Sequence, residues 1–340
     1  MVPLNPMWRK IQKSLATAVP SLILAVFLIV MICYLNRWDS MTAITIIPIW
    51  AWTAVGMLAC LISWIAFRGL PSIIVFCIWL VTGIGFSEEP QGLIRELIQS
   101  IDQKPAPSEE SQLRVINVNA SGSGEILRKV FDLDPDLIMV QEAPDETTVA
   151  EITNKEFGVE SAIIVGAGQA IIGRGELMAT MVEDHGKAIH ARLKLQDEFI
   201  IDLTSVDLEP SYPSPYLWKL STWKGLTERR VSNRRLLRKS LGENQITRSS
   251  TGRLIGGGFN TPPGDDVFRP LQSNMLIDAF SVSGTGWGNT YPANYPALRL
   301  DQIWSSPNLF PLKTTTRRIA DSDHRIVISD FELPGRKPGR

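Results

Sequence analysis

Histidine and cysteine are scarce in this chain, three of each among 340 residues. The cysteines, Cys33, Cys60 and Cys77, all lie in the first quarter. The rest of the protein therefore has no disulfide framework and no thiolate metal site, which leaves its redox compartment open. His185, His190 and His324 fit no zinc-ligand spacing, and neither a P-loop nor a nucleophile elbow occurs. Charge of one sign is also lacking. Lysine and arginine number 34 against 35 acidic residues, so no global field marks a nucleic-acid binder. Internal repeats and low-complexity tracts are absent as well.

Apolar runs are present, and all lie near the N-terminus. The mean hydropathy of +0.05 averages a very apolar stretch of about 90 residues with an ordinary polar remainder. Runs at about 15–35, 43–67 and 70–86 carry no charged residue within them. About 20 such residues cross ~30 Å of hydrocarbon, so three membrane spans are expected, the third being the shortest. A cleavable signal peptide is the other reading of the first run, but two more runs follow it and no small-x-small cleavage site does. Arg9, Lys10 and Lys13 precede the first run, and Arg68 separates the second from the third. The positive-inside rule then places the tail 1–14 and Arg68 in the cytoplasm. Three spans would put the rest of the chain outside the cytoplasm of a multi-pass cell-membrane protein.

Residues 88–112 read as a polar juxtamembrane linker with an amphipathic stretch at 92–101. From 113 to 333 strand and helix patterns mix, and 334–340 form a tail. LRVINVN alternates as a strand, DLIMVQE is an apolar strand ending in charge, and ELMATMVED, KAIHARLKL and FIIDLTSVDL read as a meander. A basic helix is expected at 222–241. Its arginines and lysines suit phosphates or anionic lipid headgroups, or equally a solvated face with Val231, Leu236 and Leu237 turned inward. The mixture implies an α/β sandwich of two packed sheets.

Several polar residues sit where chemistry could occur. Glu142 and Asn119 each end a strand, where oxygen donors can meet a hard cation or simply face solvent. Asp323 and His324 adjoin the last strand and suit acid–base work or a loop. Asp301 begins LDQIW and could orient an imidazole. IGGGFNTPPGD at 255–265 has the form of a strand ending in a tight loop. His185 in a turn and His190 on a polar strand face carry no functional signal.

In order, LRVINVN, DPDLIMVQE, SVDLEP, GGFNTPP, RLDQIW and SDHRIVISDFEL resemble the successive motifs of the endonuclease/exonuclease/phosphatase superfamily. The resemblance covers about 113–333. It implies a four-layer α/β sandwich, preceded here by about three transmembrane helices, that hydrolyses phosphoesters with Mg²⁺ or Mn²⁺. It further implies Glu142 as principal metal ligand with Asn119 and Asp323. His324 would contact the phosphate, oriented by Asp301, and Asn260 would hydrogen-bond the phosphate or nucleophile. Two positions depart from the pattern. Gly258 stands where the family's Gly-Asp-Phe-Asn motif has its aspartate, and Asp207 where many members have histidine before leucine. Either the site is weakened, with Asp207 or Asp265 substituting, or the chain is an inactive descendant that binds a phosphate-containing ligand or a partner protein. Nucleic acid and phospholipid are equally open as phosphodiester substrates.

Overall fold

The computed structural model describes residues 6–101, 112–158, 161–182, 187–195, 199–213, 216–217, 219–243 and 250–333. The two turns that join the strands of the expected meander, Asp184–Gly186 and Gln196–Glu198, most of the later half of the linker and the C-terminal tail lie outside them. The chain divides into two compact units, Met1–Gln91 with Pro213–Thr227 and Gly92–Tyr212 with Glu228–Arg340.

The first unit is helical: α1 (Pro6–Asn36), the short α2 (Thr42–Thr45), α3 (Ile49–Phe67) and α4 (Leu70–Phe86). Lys10–Asn36 and Ile49–Phe67 are long and apolar enough to cross a membrane. At 17 residues, α4 covers about 26 Å, short of the ~30 Å hydrocarbon core. Together with the next helix, α5 (Glu88–Ile101), to which it is joined at a bend of 69°, it forms a pair that is long and apolar enough. Two of the three expected spans are thus clear, and α4, at the short end of spanning lengths, is the candidate for the third. Small residues let α3 and α4 approach closely, as in membrane helix pairs. Gly56 packs on Trp79, and Ser63 and Ser72 share a buried hydrogen bond of 3.0 Å.

The second unit is the four-layer sandwich. Its strands are β1 (Gln112–Asn119), β2 (Leu137–Gln141), β3 (Ala162–Gly166), β4 (Gln169–Gly173), β5 (Glu176–Val182), β6 (Ala188–Lys194), β7 (Ile200–Asp207), β8 (Gly252–Gly258), β9 (Ile277–Asp278), β10 (Asp301–Ser305), β11 (Pro311–Arg318) and β12 (Arg325–Glu332). They form two six-stranded sheets, β11-β12-β1-β2-β4-β3 and β5-β6-β7-β8-β10-β9. Helices α6 (Gly124–Phe131) and α7 (Glu146–Phe157) cover the first sheet through Ile126, Leu127, Val130, Val149 and Ile152. Leu237 and Leu241 of α8 (Leu220–Glu243) cover the second, and the short α9 (Arg269–Ser273) and α10 (Ala279–Ser283) follow β8 and β9.

The period of two along each strand decides what lies between the sheets. Leu113 and Val115 of β1, Leu137 and Met139 of β2, Ile201 and Leu203 of β7, Leu254 of β8 and Ile303 of β10 form the inter-sheet core. Continuing those faces brings β1 to Asn117 and Asn119, β2 to Gln141, β7 to Ser205 and Asp207, β8 to Gly256 and Gly258, and β10 back to Asp301. The interior therefore changes from aliphatic to polar towards one end, and that end carries the site. The expected buried face of α8 is only partly realised. Leu237 is buried, whereas Val231 and Leu236 are half-buried and Arg230 and Asn233 take the innermost places.

Candidate active site

Three neighbouring strand ends line up in one row, because Gly258 pairs with Asp207 on one side and with Asp301 on the other. Asn260 follows in left-handed backbone (φ 51°) and donates from Nδ2 to Leu208 O at 2.8 Å and Asp207 Oδ1 at 3.3 Å. Across the mouth, Asn119 Nδ2 donates to Glu142 Oε1 at 2.9 Å. Glu142 also has left-handed backbone (φ 45°), which carries its exposed carboxylate out of line with β2. Non-glycine residues in that region carry strain that only surrounding structure holds in place.

The halves meet at a buried pair, His324 Nδ1 and Asp301 Oδ2, 2.7 Å apart. This bond fixes the imidazole and leaves Nε2 as its reactive nitrogen. The Tyr291 ring lies 4.9 Å from the imidazole, centroid to centroid. Burial pulls the His324 pKa down, but the charge and hydrogen bond of Asp301, with Asp323 and Glu142 behind them, outweigh it and leave the imidazole above its ordinary value. Asp323 is exposed beside it. Asp207 is raised, first by burial and then by Glu142 and Asp301, against the opposing charges of Lys187 and His324.

Beneath the site, Gln141 Nε2 donates to Asn117 Oδ1 at 3.0 Å and to Ser205 Oγ at 3.1 Å, and Ser205 Oγ donates to Gln169 Oε1 at 2.9 Å. This buried network joins β1, β2 and β4 of one sheet to β7 of the other. Sequence reading did not identify Gln169, the β3–β4 hairpin that carries it, Lys187 or Tyr291. Two apolar runs around Gly166-Ala167-Gly168 were the available signal for the hairpin. Nothing in the sequence marks Lys187 or Tyr291, which reach the site from loops.

The three glycines of the loop differ sharply. Gly257 has φ 150°, and a Cβ there would lie 1.9 Å from Val206 O. Gly256 gives its space to Met139. Gly258 has no left-handed backbone, and a Cβ there would find Asp207 Oδ1 at 3.5 Å, Asn260 Nδ2 at 3.6 Å and Asp301 Oδ1 at 3.9 Å, all ordinary contacts. The place of the missing carboxylate is sterically open and ringed by polar atoms. Asp265 cannot fill it, being buried in an ion pair with Arg230.

Among the described residues, no group of three or more His, Cys, Asp or Glu side chains is arranged to hold a metal ion. The donor chemistry still fits a hard cation. Glu142, Asp207, Asp301 and Asp323 act here against His324 and Lys187, and Asp301 Oδ1 is buried without a hydrogen-bond partner. Mg²⁺ commonly takes only one or two protein carboxylates and completes its shell with water and substrate phosphate. Glu142 meets that requirement.

The sequence profile of the Endonuclease/Exonuclease/phosphatase family matches residues 116–324. Among solved structures, an endonuclease/exonuclease/phosphatase from Beutenbergia cavernae DSM 12333 is 14% identical, covering 66% of this chain and 72% of its own at a TM-score of 0.50. The mannosyl-6-phosphatase Bt3783 of Bacteroides thetaiotaomicron VPI-5482 is 16% identical, with 65% and 100% covered and a TM-score of 0.49. Truncated TDP2 of Caenorhabditis elegans is 15% identical, with 65% and 98% covered and a TM-score of 0.46. The comparison with curated proteins returned no match.

Proposed function

Because the chain belongs to the endonuclease/exonuclease/phosphatase family, we propose that it is a membrane-anchored, divalent-cation-dependent phosphoesterase in which Asp207 stands in for the carboxylate absent at Gly258. One observation carries this reading: Asp207 Oδ1 lies 3.5 Å from the point where a side chain on Gly258 would begin, and it is held there by Asn260. The neighbouring strand thus supplies the acid that β8 lacks.

In this reading His324 Nε2 meets a non-bridging phosphate oxygen, with Asp301 holding the ring and stabilising its protonated form. Asp207, raised above its ordinary pKa, is suited to take a proton from the attacking water or to return one to the leaving oxygen. Its place beside Asn260 keeps that carboxyl oriented. Asn119 steadies Glu142, which with Asp323 would hold Mg²⁺ or Mn²⁺. The cation, when bound, supplies charge neutralisation on the phosphoryl oxygens. Family membership supports a phosphodiester substrate, the site's negative charge supports the cation that would bring that anion in, and nucleic acid and phospholipid both present such a group. Helices α1 and α3 support the anchor, and the arrangement of Arg9, Lys10, Lys13 and Arg68, taken with α4 as a third crossing, supports a sandwich outside the cytoplasm.

Gly258 itself favours a second reading, a phosphate-binding surface without turnover. The full-length protein assayed on an activated phosphodiester with Mg²⁺ or Mn²⁺ separates the two. Cation-dependent hydrolysis that Glu142→Ala abolishes is expected. Tight phosphate binding with no hydrolysis by the folded wild type would refute the enzyme reading. The cation should also raise the melting temperature by mass action in wild type and not in Glu142→Ala; an unchanged shift in the variant would remove Glu142 as ligand.

A further inference from the structure

Helix α5 forms one continuous amphipathic element where the sequence suggested a linker with a short helical stretch. Its two sides have different fates. On one side, Gly92 and Arg95 are fastened to the sandwich. Gly286 N donates to Gly92 O at 3.2 Å, and a Cβ on Gly92 would lie 2.3 Å from Gly286 O, so only glycine permits this approach. The Arg95 guanidinium donates to three carbonyls at the end of α10, Gly284 at 2.6 Å and Ser281 and Phe280 at 3.1 Å each. A cation capping a helix C-terminus in this way is favourable. These contacts fix the rotation of α5 about its own axis.

The other side carries Leu93, Ile94, Leu97, Ile98 and Ile101, which are 43–75% exposed. At 100° per residue these five fall within an arc of about 140°, forming a single aliphatic stripe. With Arg95 and Gly92 clamped, the stripe cannot turn inward to bury itself.

We propose that this stripe is seated in the boundary between headgroups and acyl chains of a lipid bilayer, so that α5 is an interfacial strut bearing the sandwich. The inference rests on the reading of the N-terminal helices as membrane anchors. Continuity identifies the occupant, since only Ser87 separates α5 from the uncharged, apolar α4. The composition selects the kind of attraction. Glu88, Glu89 and Glu96 outnumber Arg95, so seating is driven by aliphatic burial and does not require anionic lipid. The basic helix α8 is a poorer lipid contact, because Arg230 and Arg234 are paired with Asp265 and Asp266.

The test uses the full chain reconstituted in phosphatidylcholine liposomes. Single-cysteine variants Leu97→Cys, Ile101→Cys and Gln99→Cys, made with the three native cysteines replaced, carry an environment-sensitive fluorophore. A fourth sample retains only native Cys77, which is exposed on α4, as the probe of the anchor. A nitroxide lipid labelled high on the acyl chain should quench the probes at 97 and 101 several-fold more than that at 99. One labelled near the chain end should quench Cys77. Equal quenching at 97, 99 and 101 with Cys77 quenched would overturn the strut and leave the anchor standing. An unquenched Cys77 would keep α4 out of the bilayer and overturn the strut that continues from it, while α1 and α3 would still stand as the anchor. Cross-linking between copies through position 97 without lipid quenching would assign the stripe to a second copy of the chain and refute the lipid seat.

Discussion

Replacing Asp207 by asparagine removes one candidate proton carrier while retaining its shape and its neighbour Asn260. Loss of a general acid or base costs ~10²–10⁴ in rate, about 2.7–5.4 kcal/mol of transition-state stabilisation. The second substitution, Gly258→Asp, moves the carboxylate to the adjacent strand. Neither backbone nor space opposes it, since the nearest atoms to the new Cβ stand at 3.5–3.9 Å. Made alone, it sets a third carboxylate beside Asp207 and Asp301. At ~4 Å and an effective dielectric near 20, each like-charge pair costs about 4 kcal/mol, so the single variant should melt lower and recover with divalent cation. Made together with Asp207→Asn, it leaves the number of carboxylates unchanged and should restore at least ~10-fold of the lost rate, about 1.4 kcal/mol. The assay is turnover of an activated phosphodiester by wild type, both single variants and the double. Wild-type rates in Asp207→Asn would refute the stand-in. The same variant reports on pH. Because the folded pKa of Asp207 is raised, native stability falls as pH climbs from about 3.9 through that raised value. Asp207→Asn abolishes this decline, so its melting temperature should exceed that of wild type near neutrality and match it in strong acid. A constant difference across pH would contradict the assigned cause.

Adjacent glycines should respond oppositely. Gly257→Ala drives a methyl into Val206 O and should cost more than ~3 kcal/mol or prevent folding, whereas Gly258→Ala should melt near wild type; equal denaturant midpoints would contradict the geometry. Arg230→Met leaves Asp265 buried and unpaired, for a loss of about 3–5 kcal/mol that the double variant Arg230→Met/Asp265→Leu largely recovers in urea unfolding. Gln141→Leu strips the donors to Asn117 and Ser205 and should destabilise by about 1–3 kcal/mol; a variant as stable as wild type in the same unfolding would mean the network contributes nothing.

The ordered motifs made the sandwich and its sheet strands legible, because each site residue ends, begins or adjoins a strand whose apolar pattern is clear. Asn119, Glu142, Asp207, Asn260, Asp301 and His324 come from both sheets, and no spacing within any one segment reveals that they meet. The openness of Gly258 was equally hidden, since three successive glycines look alike on paper while their surroundings differ completely. The docking of α5 depends on Arg95 reaching carbonyls nearly two hundred residues away, a contact without a sequence period. The shortness of α4 was visible as length, but its separation from α5 at Ser87 depended on backbone geometry.

Since the acid–imidazole pair and the Gln141 relay both run from one sheet to the other, the cleft behaves as a caliper whose jaws are the sheets and whose gauge block is a few interior side chains. Jaw opening is then calibrated from below, out of reach of solvent and of any substrate. A shorter block such as Gln141→Asn should let the jaws settle closer and discriminate against bulky leaving groups while small phosphoesters still turn over. Comparing rates for slender and bulky esters reads that calibration directly, and an unchanged ratio would show that the surface loops set the gauge instead.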